Sequence, residues 1–284
     1  MADLPRIDHP GQVAAERIST VPCRATGTHV HLRSDLPLLD ALHEAAEGGA
    51  GWFVLRDLAA RRLSFVRPAP APGDGHAAWY SAPATLENAR IVRAGAHLGR
   101  KNGQPFAHVH GIWQDEAGGL HMGHLLSHET FLDTGAEAEM WALSGARLEV
   151  ADDAETEFSL FRPVQTERVG HPNAMLVTIR PNVSLHDGIR EVARLNGIVD
   201  GRVMGLGSLI GTSFEGGRTI ESYATEVLLD TCRIRGDAVE LAGASIGFSG
   251  GFEEGPLARD NVVCVTFELL VISDTGVLAP ESVA

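Results

Sequence analysis

The stretch from Ala107 to Leu125 constrains the fold more than any other. Asp115 to Gly119 reads as a turn: two acids, an alanine and two glycines, flanked by apolar and aromatic residues on both sides. That pattern predicts a β-hairpin. Centred on Ala117, the hairpin sets His110 opposite His124. His108 lies two residues before His110, so both project from one face of their strand. Cross-strand partners share a face, so His124 joins them. Three imidazoles then converge on one side, while His121 pairs with Trp113 and points away.

The rest of the chain repeats this plan. Ser34-Asp35-Leu36-Pro37 opens a helix, and Leu38, Leu39, Leu42, Ala45 and Ala46 keep helical spacing up to Gly48-Gly49. Trp52 to Leu55 is a strand, which Arg61-Arg62 turn into Leu63 to Val66. Pro68 to Gly75 is an exposed loop, and strands resume near Trp79-Tyr80 and Ala89 to Val92. A second helix follows later: Ser184 to Asp187 resembles a capping box, Leu185, Ile189, Val192 and Ala193 form the stripe, and Asn196-Gly197 end it. A β-rich remainder carries its own glycine pair, Gly250-Gly251.

Helix, strands, glycine hairpin and final strand thus occur twice, which predicts an internal duplication. The fold class expected is α+β: two similar domains, each a mostly antiparallel sheet with one or two packed helices. The boundaries are an N-terminal arm (1–28), a histidine-bearing domain (29–150), an acidic, proline-punctuated linker (151–172), a second domain (173–273) and a tail (274–284). Setting Gly250 on Gly118, an offset of 132, puts Glu240 at His108, Ala242 at His110 and Pro256 at His124. The turn persists and the imidazoles do not.

Of 284 residues, 44% are hydrophobic and 21% charged, which is enough apolar content for a buried core. The net charge of −14, with basic residues scattered, argues against nucleic acid as a partner. Three widely spaced cysteines form no CxxC pair and suit a reducing compartment. No secretory signal and no membrane-length apolar run occur, so a cytoplasmic, non-membrane protein is expected. The GxGxxxG stretch from Gly205 to Gly211 is one residue too long for the dinucleotide fingerprint and lies in a β context.

His108-x-His110, the turn glycine Gly119, and Gly123-His124-Leu125 resemble the signature of the plant-and-prokaryote-conserved (PPC, or PCC) domain. Met122 stands where the family has a first glycine. Gly207-Ser208-Leu209 and Thr266-Phe267-Glu268 look like a diverged second copy. The resemblance implies antiparallel strands with packed helices, a homotrimer, and a metal site, zinc first, on His108, His110 and His124. The AT-hook core Arg-Gly-Arg-Pro of plant members does not occur in this chain.

Three neutral imidazoles with an open fourth position suit a divalent metal that activates water or polarises a carbonyl. Iron, manganese and nickel accept the same ligands. A closed structural site would draw a fourth ligand from His97, His121 or His128. The function expected is a metal-dependent hydrolase or lyase acting on a small, anionic substrate such as an organic acid, lactone or ester. Glu129 is the first general-base candidate, with Glu139 and Glu226 behind it. Arg93 and Lys101, among Arg90, Arg93, Arg100 and Lys101, are the anion-holding candidates. Asp115 and Glu116 read as solvated turn acids. The alternative function is a non-catalytic metal- or ligand-binding regulator.

Overall fold

The structure is a computed structural model and describes residues 4–276 and Leu278. Its first long strand, β1 (Ile18–Leu32), belongs to two sheets at once. Residues 24–32 pair with β-structure of the first half, and residues 18–23 pair with the second half. A 15-residue strand can span both because its pleat continues across the change of partner. The expected N-terminal arm therefore overlaps a strand that joins the halves.

In the first half, helix α1 (Leu38–Ala45) is followed by β2 (Ala50–Val66), a small ribbon of β3 (Pro68–Ala69) and β4 (Trp79–Tyr80), then β5 (Ala84–Lys101), β6 (Gln104–Gln114) and β7 (Leu120–Leu125). β8 (Phe131–Leu132), β9 (Ala136–Ser144) and β10 (Ala146–Asp152) complete it. β2 pairs with β5, β5 with β6, β6 with β7, and β7 returns to β2 through Phe65↔Leu125 and Val66↔His124, which closes a ring. Its apolar interior contains Phe53, Leu55, Leu63, Phe65, Ile91 and Trp113, with α1 packed on it through Leu38, Ala41 and Leu42.

Three local expectations shift. Helix α1 starts at Leu38 behind Pro37, with no side-chain cap, so Ser34 lies outside it. Arg61-Arg62 do not turn the chain; β2 continues through them, with a register shift against β8 between Ala60 and Arg62 and a positive φ at Asp57 (58°). The acidic linker holds a strand: β11 (Ser159–Gln165) pairs with β10 along its whole length.

The second half contains β12 (Ala174–Ile179), helix α2 (Leu185–Leu195), β13 (Asp200–Leu209), short β14 (Thr212–Ser213) and β15 (Thr219–Ile220), and β16 (Thr225–Leu229). β17 (Arg233–Arg235), β18 (Ala238–Glu240), β19 (Ala242–Ile246), β20 (Phe252–Pro256) and β21 (Val263–Ser273) follow. Ser184 caps α2 by accepting from the Asp187 amide, and Asn196 and Gly197 (φ 65°) end it, as the capping pattern predicts. β21 pairs with β12 and β13, and its buried Phe267, Leu269 and Val271 face α2's Leu185, Ile189 and Val192 in one apolar cluster. The expected tail falls largely outside the described residues.

The halves meet on a third apolar cluster. Trp52, Ile112 and Met122 from one side pack with Leu206, Leu228, Ala244 and Leu270 from the other. Gly95 marks how close the approach is: a Cβ there would lie 2.4 Å from the Trp52 ring and 2.8 Å from Leu228. Among the described residues the structure is mostly antiparallel sheet with two helices. None of its helices is long and apolar enough to cross a membrane. Cys23, Cys232 and Cys264 are buried and free, and burial pushes each thiol up to about 12.

Candidate metal centre

The β6–β7 hairpin has the register its turn dictates: His110 faces His124, Gly111 faces Gly123 and Trp113 faces His121. Gly118 takes φ 90°, and Asp115 closes the turn by accepting from the Gly119 amide at 2.7 Å. Gly123 is required by close packing, since a Cβ would lie 2.3 Å from the Val66 carbonyl oxygen of β2. One nitrogen from each of His108, His110 and His124 lies within 4.8 Å of the others. These three form a group that could hold a metal ion.

Two of the rings are fixed from behind by the other half. His110 Nδ1 donates to the Val227 carbonyl of β16 at 2.9 Å. His108 Nδ1 donates to the Glu268 carboxylate of β21 at 2.9 Å. A carbonyl oxygen only accepts, so the His110 proton sits on Nδ1 and its Nε2 is a bare lone pair. The His108 and His110 Nε2 atoms lie 3.1 Å apart, within hydrogen-bond distance. A proton on His108 Nε2, donated to the bare His110 nitrogen, satisfies that separation, and so does a metal ion between the two. Nitrogens about 2.0–2.1 Å from one ion stand roughly 3.0–3.4 Å apart. An acceptor behind each ligating imidazole is the arrangement that orients metal-bound histidines. Burial, helped by the neighbouring His108, holds His110 and His124 well below the usual imidazole range, hence neutral and ready to ligate.

The histidines line a cavity of about 300 Å³. Its walls are Trp79, Tyr80, Phe106, Phe158 and Phe161, and Tyr80 lies 5.3 Å from the His124 ring. Trp79 and Tyr80 are 42% and 53% exposed, whereas His110, Glu226 and Glu268 are at most 5% exposed. The cavity therefore has an open aromatic mouth, built partly by the β3–β4 ribbon, and a closed polar floor.

The sequence candidates scatter. Lys101 lines this cavity, with its ammonium 5.7 Å from the Phe106 ring centroid. Arg93 lines a different cleft, ion-paired with Glu254 and with Asp230 at 3.5 Å. Glu129 is half-exposed beside His128 at 3.6 Å and does not line the cavity. Glu139 sits in the Arg93 cleft and accepts from the Trp141 indole. Arg90 pairs with Asp57, and Arg100 donates to the Gly103 and Gly48 carbonyls. None of the expected fourth ligands lines the cavity either. His97 packs edge-on against Trp52, His121 is held by Asp115 at 2.8 Å, and His128 is exposed. The residues that sequence reasoning missed are Glu268 and the Val227 carbonyl, both on strands remote in sequence from the hairpin. Asp115, read as a solvated turn acid, instead holds His121.

No family model and no curated protein matches the chain. Several solved structures do, each over about half of it. A metal-containing protein from Archaeoglobus fulgidus is 21% identical over 50% of this chain and 97% of its own, with a TM-score of 0.37. A plant- and prokaryote-conserved (PPC) protein from Pyrococcus horikoshii is 16% identical over 54% and 99%, with a TM-score of 0.37. A candidate DNA-binding protein from Ralstonia eutropha is 18% identical over 51% and 89%, with a TM-score of 0.35.

Two expectations are corrected by these findings. The metal-dependent hydrolase or lyase is withdrawn: the matching structures are described as PPC, metal-containing or candidate DNA-binding proteins. Of the residues expected to serve that chemistry, Glu129 and Arg93 stand away from the histidines, while Lys101 and Glu226 line their cavity. The exclusion of nucleic acid is withdrawn as well, since two matches are described as candidate DNA-binding proteins. Net charge sums over the whole chain and does not describe any local surface.

Proposed function

We infer that this chain is a non-catalytic metal-binding protein. His108, His110 and His124 hold one divalent metal, zinc first, on the floor of the aromatic-mouthed cavity. One observation carries this reading. One nitrogen from each of His108, His110 and His124 lies within 4.8 Å of the others, and the Val227 carbonyl behind His110 leaves its Nε2 bare, 3.1 Å from His108 Nε2. Imidazole is a preferred ligand of zinc, and the floor offers no thiolate to favour a softer ion. The proposal extends to the architecture. Residues 29–150 and 173–273 are read as two PPC-like domains, the second diverged, in a protein of the cytoplasm. Support comes from the hairpins: β19–β20 pairs Ala242 with Pro256, the positions 132 residues beyond the His110–His124 pair.

The test is elemental analysis of purified protein, stripped with chelator and reloaded with zinc. One metal per chain is expected in the wild type and none in His110→Ala. A wild type that retains no zinc after reloading sinks the reading.

A further inference from the structure

The cavity floor contains a carboxyl group that the protein leaves without a partner. Glu226 on β16 lines the cavity and is buried, its side chain 7% exposed. Its Oε2 is buried without any hydrogen bond, and among the described residues no lysine or arginine pairs with it. His110 Nε2, 3.9 Å from Oε1, is too far to donate, and the ring's proton is on Nδ1. A buried acceptor left unpaired is costly. Glu268, the other acid of the floor, differs, since it accepts from His108. Around these acids the walls are aromatic and already fixed. Phe106 meets Phe161 edge to face at 5.4 Å, and Trp79 meets Phe158 edge to face at 5.8 Å. His76 packs on both rings of the second pair, at 5.0 and 4.9 Å. The Trp79 indole donates to Asp74 at 3.0 Å, so its own N–H is engaged.

We propose that this cavity binds a small neutral phenol, its ring among the aromatic walls and its hydroxyl donating to Glu226. Three observations select that chemistry. The first is size. An apolar cavity of about 150 Å³ already takes benzene, and this one, at about 300 Å³, has room for a single substituted ring. The second is the lining: flat apolar walls with one convergent polar group are the usual composition of a small-molecule site. Rings offset or edge-on to Phe106, Phe161, Trp79 and Phe158 gain beyond the area they bury. The third is the unpartnered acceptor. Glu226 lacks a donor, and a hydroxyl donating to a carboxylate makes one of the stronger hydrogen bonds. A ligand carboxylate would meet Glu226 as a like charge. An ammonium is disfavoured too, because Glu226 and Glu268 already balance a divalent ion held by the histidines. That last step alone rests on the reading of the triad as a metal site; the donor to Glu226 does not.

The probe is phenol, titrated into full-length, zinc-treated protein and followed through its ring-proton resonances, with benzene as the analogue that lacks the donor. Phenol is expected to bind about tenfold or more tightly than benzene, the worth of a hydrogen bond to a charged group. Glu226→Leu should bind phenol no better than benzene. Glu226→Gln, of the same size, covers the case in which the leucine variant does not fold, and should narrow the preference. Phe106→Ala should weaken both ligands alike and leave the preference intact. Equal binding of phenol and benzene to the wild type would overturn the proposal, as would an unchanged preference in a folded Glu226→Leu or Glu226→Gln. Tighter binding of benzylamine or benzoate than of phenol would overturn it as well. The titration is repeated on chelator-stripped protein. A preference that survives there supports Glu226 as the acceptor, and it would do so even if the chain retained no zinc and the metal reading fell. A preference present only with zinc would overturn the assignment by placing the hydroxyl on the metal.

Discussion

Two hairpins of this chain share a backbone and differ in what they present. In β6–β7 and in β19–β20 the turn glycine takes nearly the same conformation, Gly118 at φ 90° and Gly250 at φ 82°, and a second glycine follows. The paired positions are His110 and His124 in one, Ala242 and Pro256 in the other. Yet the second hairpin's half is not idle. It surrounds the first half's histidines with Val227, Glu268 and Glu226, and its Leu228, Ala244 and Leu270 pack behind Trp52 and Met122. One half supplies imidazoles and the other supplies what orients and balances them. The difference teaches that a half whose hairpin carries no ligands can still contribute to the site.

The largest expected effect separates the halves by acid. Burial, with the nearby His108 adding to it, lowers His97 to about 3, and His110 and His124 lie well below their ordinary value. A histidine held neutral in the fold lets only the unfolded chain take up its proton between its ordinary and folded values. Stability present above pH 6.5 is therefore lost as the pH falls. From pH 6.5 to 5 each such imidazole costs about 2 kcal/mol in the metal-free protein. The second hairpin contains no histidine. Hydrogen exchange at pH 7 and pH 5 should show residues 94–125 losing protection before residues 242–256. Equal loss in both would break the comparison.

Metal gives the next effect. At a free metal concentration of 100 times Kd, binding should add about 2.7 kcal/mol to the stability of the wild type. His110→Ala should abolish that gain, read as a vanished thermal shift on zinc addition. A persistent shift would place the metal elsewhere. Glu268→Gln should be milder, since an orienting partner is lost and no ligand: a 10–100-fold weaker metal affinity, measured by chelator competition. An unchanged affinity would mean that the second half merely packs against the histidines.

How much of this was legible beforehand follows from the range of each interaction. The β6–β7 register was readable because a short turn fixes pairing locally, and the α2 cap because Ser184 acts three residues away. The N-terminal segment reads equally as an irregular arm or a lead-in strand, because β1 owes its length to partners more than 100 residues distant, Ala136–Ser144 and Ala174–Ile179. The strand Ser159–Gln165 hid behind an acidic stretch in which Asp153 and Glu155 are buried and held by Arg17, Arg162 and Arg180. Among the site residues, the three histidines announce themselves by spacing. Glu226 stood in the sequence only as one acid among three, and Glu268 not at all, because they lie 116 and 160 residues beyond their histidine neighbours and only the docking of the halves brings them there.

The smallest effect is the sharpest comparison, because its sign should reverse between the two turns. A Cβ at Gly119 would fall 2.7 Å from Asp115 Oδ2, the oxygen that holds His121 Nε2. Asp115 cannot yield freely, because its other oxygen accepts from the Gly119 amide. Gly119→Ala should therefore lower stability by about 0.5–1 kcal/mol. At Gly251 a Cβ meets nothing within 4 Å, and the backbone there is not in the left-handed region. Gly251→Ala should raise stability by about 0.4–1 kcal/mol, because alanine restricts the unfolded chain and strains nothing in the fold. Urea denaturation of the two variants decides it. If Gly119→Ala stabilised as much as Gly251→Ala, the Asp115–His121 contact would not constrain the histidine turn, and the two hairpins would differ only in their imidazoles.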